Sequence, residues 1–142
     1  MAAALNKHIT VLVVEDSTKD FEIIQRAFQE EGKGLDLVNC TNGNDALDYL
    51  NQTGVFLQAT KPLAILLDLG LPGMSGKEFL KIVKADPKLK ELPVIVFTGS
   101  KSQDEIKECT SLGAISAFEK PLDYHGFMDF VKQIAKEIRS LA

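Results

Sequence analysis

The sequence has few of the residues that carry zinc, redox or disulfide chemistry. It contains no tryptophan, two cysteines and two histidines among 142 residues. Cys40 and Cys109 match no metal-binding or redox spacing. His8 and His125 lie far apart in sequence and form no ligand pair, so each is expected to be a surface or capping residue. A zinc site and a disulfide framework are therefore excluded, and both cysteines are expected to be reduced.

The chain also lacks an excess of basic charge and any long hydrophobic run. Its net charge is −4, and its lysines are scattered among acids, whereas nucleic-acid binding relies on clustered Lys and Arg. No stretch approaches the roughly 20 apolar residues that a membrane-spanning helix needs. Residues 1–6 are too short and too weakly apolar for a signal peptide. We expect a soluble, cytoplasmic protein that binds neither nucleic acid nor a membrane.

What the chain does contain is a regular alternation of strand and helix patterns. Apolar, largely β-branched runs predict five strands, at Ile9–Val14, Leu35–Cys40, Leu63–Leu67, Pro93–Phe97 and Ile115–Phe118. Apolar residues at helical spacing predict a helix after each strand. The first is capped by Ser17 or Thr18, the fourth spans Ser100–Leu112 and the fifth spans Asp123–Leu141.

Strict alternation predicts an α/β fold in which a parallel sheet carries helices on both faces, joined by right-handed crossovers. The length suits a single domain over residues 1–142, with a core of about residues 9–140. Because the sequence stops one helix after the fifth strand, no output domain is expected. Residues 52–62 form a longer connection before the third strand.

Polar residues follow four of the predicted strands in a way that packing does not require. They are Glu15-Asp16, Asp68, Thr98-Gly99-Ser100 and Glu119-Lys120-Pro121. Each has a simpler explanation when taken alone: Asp16 could cap the first helix, Thr98 the fourth, and Lys120 or Asp68 could be solvated. Because the carboxyl ends of parallel strands share one edge, where such sheets bind ligands, we expect these groups to converge.

This set of groups suits metal-assisted phosphoryl transfer. Three acids at close range repel one another and favour a bound cation. All of the candidate ligands are oxygens, which points to Mg²⁺ rather than zinc. Asp68 is then a feasible nucleophile that forms an acyl phosphate. Thr98 would donate a hydrogen bond to a phosphoryl oxygen, and the Lys120 ammonium would pair with the phosphoryl charge.

The pattern resembles a two-component response-regulator receiver domain of the CheY-like type. The motifs that carry the resemblance are Val11-Leu12-Val13-Val14-Glu15-Asp16, Leu66-Leu67-Asp68-Leu69-Gly70-Leu71-Pro72-Gly73-Met74-Ser75-Gly76, Val96-Phe97-Thr98-Gly99 and Phe118-Glu119-Lys120-Pro121. The resemblance implies a flavodoxin-like, doubly wound sheet of five strands in the order 2-1-3-4-5, with five helices. Such a domain is not an enzyme in the usual sense, because it catalyses only its own phosphorylation and dephosphorylation.

The resemblance also implies a role for each matched residue. Asp68 would accept a phosphoryl group from the phosphohistidine of a sensor histidine kinase. Glu15 and Asp16 would organise Mg²⁺, together with Asp68 and the backbone carbonyl of Gly70. Thr98 would be the switch hydroxyl. Lys120 would be the lysine that pairs with the phosphoryl group, and its bond to Pro121 is expected to be cis.

Two positions depart from the usual receiver pattern. The position three residues before the lysine commonly holds Tyr or Phe, but here it holds Ala117, and Phe118 should point to the opposite side of the strand. Many receivers have a larger side chain than Gly70 two residues after the acceptor, and a glycine leaves an acyl phosphate more open to water.

A narrower resemblance, in residues 52–62 and Lys84–Leu89, is to stand-alone regulators associated with phytochrome-type kinases. It implies a phytochrome-type or other soluble kinase as partner, an unknown downstream protein and a homodimer. An aspartate-nucleophile phosphohydrolase and a receiver-like docking module are the alternatives. Against the hydrolase, Asp68 follows the third strand instead of the first, and Gly70 stands where those enzymes place a second acid.

Overall fold

A single parallel sheet forms the middle of the molecule. The computed structural model describes residues 8–99 and 103–142. In these residues the strands are β1 (Ile9–Val14), β2 (Leu35–Cys40), β3 (Ala64–Asp68), β4 (Val94–Thr98) and β5 (Ser116–Glu119). Their order across the sheet is β2-β1-β3-β4-β5, and all neighbours are parallel. The predicted doubly wound fold and its strand order are therefore confirmed.

Helices follow the strands and cover both faces of the sheet. They are α1 (Thr18–Glu31), α2 (Gly43–Asn51), α3 (Gly76–Ala85), α4 (Gln103–Ser111) and α5 (Tyr124–Ser140). Several begin at a side chain that accepts a hydrogen bond from the backbone amide three residues later, which satisfies one of the free donors of the first turn. These capping residues are Ser17, Asn42, Ser75 and Asp123.

Two apolar layers hold these helices to the sheet. One layer packs α2, α3 and α4 against one face, and the other packs α1 and α5 against the opposite face. Strands β3 and β4 are buried along their whole length, because helices cover both of their faces. Ala117 and Phe118 of β5 join opposite layers, as the alternation of side chains along a strand requires.

The central pair of strands determines which residues meet at the carboxyl edge. Val14 of β1 is paired with Leu67 of β3, so the next residues, Glu15 and Asp68, leave the sheet side by side. The strand ends were predicted one residue early, because Asp68 and Thr98 still pair with their neighbours, Phe97 and Glu119. The acceptor candidate and the hydroxyl candidate therefore lie on rigid strand ends.

A few other expectations need correction. Residues 54–56 form a short 3-10 turn that the sequence pattern did not predict. The fifth helix ends at Ser140, so Leu141 does not continue its buried face and is 39% exposed. The predicted start of the fourth helix, residues 100–102, lies outside the described residues.

The expected cis bond between Lys120 and Pro121 is wrong, since the described residues contain no cis peptide bond. The trans isomer is the intrinsically favoured form of a bond before proline, and only the family resemblance had suggested otherwise. None of the helices in the described ranges is long and apolar enough to cross a membrane.

Candidate functional site

The candidate site lies at the carboxyl edge of the sheet, where strands β1, β3, β4 and β5 end. Asp68 is its central residue, because it ends β3 and is only 5% exposed. The backbone amide of Gly70 donates a hydrogen bond of 3.2 Å to Oδ1 of Asp68. The Lys120 ammonium lies 3.4 Å from Oδ2. Both oxygens of this buried carboxylate are therefore held by donors from the surrounding loops.

Glu15 is the most deeply buried acid of the site, with no exposed surface. Its Oε1 accepts a hydrogen bond from the backbone amide of Ser17 at 3.1 Å, and both of its carboxylate oxygens contact the Lys120 ammonium, at 3.2 and 3.1 Å. The side-chain amide of Asn39 donates to its backbone carbonyl. These contacts hold Glu15 firmly between β1 and the lysine.

The electrostatics of Glu15 reveal how crowded with negative charge the site is. Burial raises the pKa of the Glu15 carboxyl, the neighbouring Asp68 carboxylate raises it further, and Lys120 lowers it only partly, so that it reaches about 8. The single ammonium therefore does not compensate for the buried acids. Such a cluster is better satisfied by an additional cation.

Lys120 links all parts of the site. Burial alone would lower its pKa, but the hydrogen bond to Asp20 and the charges of Asp68 and Glu15 outweigh burial and raise the pKa above its usual value. The ammonium also lies 5.2 Å from the centre of the Phe97 ring, a favourable distance for a cation beside an aromatic face. Lys120 is therefore a fixed positive charge at the centre of the carboxylates.

Asp20 is a site residue that sequence reasoning missed. Its Oδ2 lies 2.8 Å from the Lys120 ammonium, closer than the carboxylate oxygens of Glu15 and Asp68. Its only signal in the sequence is its place three residues after the capping Ser17, in the first turn of α1 and beside the carboxyl edge of the sheet. The helix dipole favours an acid in any first turn, so this place alone does not mark a functional residue.

A divalent cation fits the donor set that the structure presents. Glu15, Asp16 and Asp68 each offer a carboxylate oxygen, and these oxygens lie within 4.8 Å of one another. Asp16 is exposed whereas the other two are buried, so a cation could approach from solvent on the side of Asp16. Oxygen ligands alone suit a hard cation such as Mg²⁺, Mn²⁺ or Ca²⁺.

The structure brings together most of the residues predicted for the site. The carboxylates of Glu15, Asp16 and Asp68 lie close together, and the Lys120 ammonium contacts two of them, those of Glu15 and Asp68. Thr98 is buried at the end of β4, and its carbonyl accepts a hydrogen bond of 2.7 Å from the amide of Lys120. Gly70 contacts Asp68 through its amide; a role for its carbonyl as a metal ligand remains a prediction. The chemical roles of all six residues likewise remain predictions.

Comparison with known proteins identifies the family. The sequence pattern of the response regulator receiver domain matches residues 11–132. The response regulator Rcp1 of Synechocystis sp. is 34% identical over 106 residues, which are 75% of this chain and 72% of that protein.

Solved structures agree with this result. The phosphorylated cyanobacterial phytochrome response regulator RcpA superimposes with a TM-score of 0.87 at 33% identity, over 95% of this chain and 96% of that one. The Mn²⁺-bound form of Rcp1 gives a TM-score of 0.82 at 30% identity, over 89% and 91% of the two chains. This chain therefore belongs to the response regulator receiver domain family, whose members accept a phosphoryl group from a histidine kinase in two-component signalling.

Proposed function

We propose that Asp68 accepts the phosphoryl group from a sensor kinase's phosphohistidine in a Mg²⁺-dependent reaction, and that the product signals through a phosphorylation-dependent contact with a downstream protein. The observation that carries this proposal is the pairing of a buried carboxylate with a fixed ammonium, Asp68 with Lys120, beside two further acids. A carboxylate that served only to stabilise the fold would not need this excess of negative charge around it.

The transfer step follows from the contacts of Asp68. A carboxylate oxygen of Asp68 attacks the phosphorus atom, the bond from phosphorus to the imidazole nitrogen breaks, and its electrons remain with the imidazole. The amide of Gly70 orients the carboxylate through Oδ1. The Lys120 ammonium, near Oδ2, pairs with the charge of the incoming phosphoryl group. Asp68 becomes an acyl phosphate.

Thr98 supplies the remaining contact of the phosphoryl group in this proposal. The residue before it, Phe97, is the register partner of Asp68, so Thr98 lies one position further along the same edge. Its hydroxyl donates a hydrogen bond to a phosphoryl oxygen. Because the amide of Lys120 is bonded to the carbonyl of Thr98, the hydroxyl and the ammonium are linked through the backbone.

Glu15, Asp16 and Asp68 would hold Mg²⁺ through carboxylate oxygens, and Gly70 would hold it through its carbonyl. When bound, the ion neutralises negative charge shared by the carboxylates and the phosphoryl group. The chain then catalyses only its own phosphorylation and, when water attacks the acyl phosphate, its own dephosphorylation. Since the donor kinase draws its phosphoryl group from ATP, we place the reaction in the cytoplasm.

Labelling with acetyl phosphate tests the role of Asp68. The native protein should incorporate phosphate in the presence of Mg²⁺ and lose it on treatment with hydroxylamine, which cleaves acyl phosphates. Asp68→Asn should abolish labelling, EDTA should suppress it, and Asp45→Asn, a change of an exposed acid in the first turn of α2, should leave it intact. Labelling that persists in Asp68→Asn would refute the assignment.

We extend the proposal to a phytochrome-type kinase as donor and to a homodimer as the working form. The similarity to RcpA, a phytochrome response regulator, supports the first. Two exposed apolar side chains lie beyond the two ends of the edge strand β5, Ile115 at 44% and Leu122 at 93% exposure, and in the proposed dimer a second copy would cover apolar side chains of this kind. Faster phosphotransfer from a phytochrome-type kinase than from an unrelated kinase, and a dimeric mass by light scattering, are the expected results.

A further inference from the structure

The Lys120 ammonium lies closer to an acid outside the set that fits a metal ion than to the buried acids within it. Asp20 lies at 2.8 Å, Glu15 at 3.1 Å and Asp68 at 3.4 Å. The oxygens that converge for a cation come from Glu15, Asp16 and Asp68 and do not include one from Asp20. The ammonium is thus held between Asp20 on one side and Glu15 and Asp68 on the other. The proposed phosphoryl acceptor, Asp68, is the most distant of the three.

The position of Asp20 is determined by α1. Ser17 caps this helix, and its Oγ accepts a hydrogen bond of 3.1 Å from the amide of Asp20. The carboxylate is partly buried, with 29% of its side chain exposed. Because Asp20 belongs to the first helical turn, it is anchored by α1, whereas Asp68 is anchored by the end of β3.

We propose that Asp20 is a positioning residue that holds the Lys120 ammonium in the unphosphorylated protein and competes with the phosphoryl group on Asp68 for it. The inference rests on the proposed function of Asp68. It adds that the contact with Asp20 limits how readily the Lys120 ammonium pairs with a phosphoryl group on Asp68. The chemical step itself does not involve Asp20.

The direction of the effect follows from charge. A phosphoryl group on Asp68 attracts the ammonium, but the ammonium must leave or share its contact with Asp20 to pair with it. The carboxylate of Asp20 also repels the phosphoryl group. Removing the charge of Asp20 should therefore strengthen binding of a phosphoryl mimic, by about two- to fivefold for a partly exposed ion pair.

The experiment measures the affinity of beryllofluoride, a phosphoryl mimic, by calorimetry at saturating Mg²⁺. Asp20→Asn should bind it more tightly than the native protein, and Asp20→Ser, a second variant without the charge, should behave in the same way. Asp20→Glu restores a carboxylate and should return the affinity towards the native value.

The matched control is Asp45→Asn. Asp45 occupies the same position in α2 as Asp20 does in α1, with its amide bonded to the capping Asn42 at 2.8 Å, but its carboxylate contacts the Asn42 side chain instead of a lysine. The Asp45→Asn variant removes the same charge from the same edge of the sheet, and its affinity for beryllofluoride should equal that of the native protein.

A second readout follows the lysine directly. The side-chain NH₃⁺ signal of Lys120 should exchange slowly in the native protein and faster in Asp20→Asn, as measured by ¹H–¹⁵N NMR. A residue that mattered only for folding would weaken ligand binding when replaced, and would not strengthen it.

The possible results separate this inference from the proposed function. Unchanged or weaker binding by Asp20→Asn, while the native protein binds and Asp68→Asn does not, overturns the inference alone. An equal gain in Asp45→Asn also overturns it, because the effect would then be general electrostatics. Failure of the native protein to bind beryllofluoride overturns both.

Discussion

The face of Asp68 beside Gly70 is not covered by a side chain from that residue. Gly70 holds Oδ1 of Asp68 through its amide, and a Cβ atom added at position 70 would lie 3.9 Å from that oxygen, at ordinary van der Waals distance. A Cβ atom is therefore accommodated at this position, beside the carboxylate. The glycine leaves a path for water to the acyl phosphate.

Replacing Gly70 should lengthen the lifetime of the phosphorylated state. Gly70→Ala should slow spontaneous loss of phosphate a few-fold, and Gly70→Asn should slow it more, because each side chain obstructs the approach of water to the acyl phosphate. Decay of ³²P label after removal of acetyl phosphate gives the rate.

Gly99→Ala is the control for this pair of variants. It adds a methyl group to the loop after β4, where no atom of the described residues, chain neighbours aside, lies within 4 Å of the added carbon, so its rate should equal that of the native protein. Equal or faster decay in Gly70→Asn would show that access of water at this position does not limit the reaction.

At the scale of elements, the first turn of α1 connects the helix to the site. Ser17 caps the helix through its Oγ, while its own amide donates to Glu15. Ser17→Ala should lower the free energy of unfolding by about 1 kcal/mol, the usual effect of losing a helix cap. It should also speed hydrogen exchange at the amide of Asp20. Denaturant titration and exchange measured by NMR test the two effects.

Ser75→Ala is the counterpart in α3, where Ser75 accepts a hydrogen bond of 3.2 Å from the amide of Glu78. It should lower stability by a similar amount but speed exchange at Glu78 and leave Asp20 protected. Loss of protection at Asp20 in both variants would mean that the caps act through global unfolding, contrary to this prediction.

The elements were predictable from the sequence because each carries its own local signal. Unbroken apolar runs marked β3 and β4, and Ser17 or Thr18 marked the start of α1. The strand ends were not predictable from the sequence, because Asp68 and Thr98 are polar. Only the hydrogen-bonded pairing with the neighbouring strand keeps these two residues extended. Local pattern cannot reveal such a tertiary contribution.

The site likewise contains residues that the sequence predicted and one that it did not. Residues that follow strands were found, because parallel topology brings strand ends together. Asp20 was not, because its role depends on where the side chain of Lys120 points, 100 positions later in the chain. Phe118 was assigned to the correct face by alternation alone, and its ring packs edge-on against Phe130 with centroids 5.3 Å apart. Ala117, on the other face, presents only a methyl group.

For the molecule as a whole, the buried charge of the site ties stability to pH. In the folded, metal-free protein, burial and Asp68 raise the pKa of Glu15 to about 8, above its ordinary value of 4.5. The folded state therefore holds a proton that the unfolded chain releases. This contribution to stability is fully present below pH 4.5 and is lost as the pH rises through 8. The pKa of Lys120 is raised above its usual value, so the lysine remains charged in this range.

The melting temperature of the metal-free protein, in EDTA, should consequently fall between about pH 5 and pH 8.5 by several degrees more than that of Glu15→Gln, which cannot titrate at this position. Glu78→Gln, at an exposed position, should keep the native slope. Saturating Mg²⁺ should reduce the fall, because a cation stabilises the ionised form of Glu15 that proton loss creates. Calorimetric melting across the pH range measures all of these slopes. If the melting temperatures of the native protein and of Glu15→Gln fall in parallel as the pH rises, ionisation of Glu15 does not cause the loss of stability. The electrostatic argument for a cation beside Glu15 would then fail.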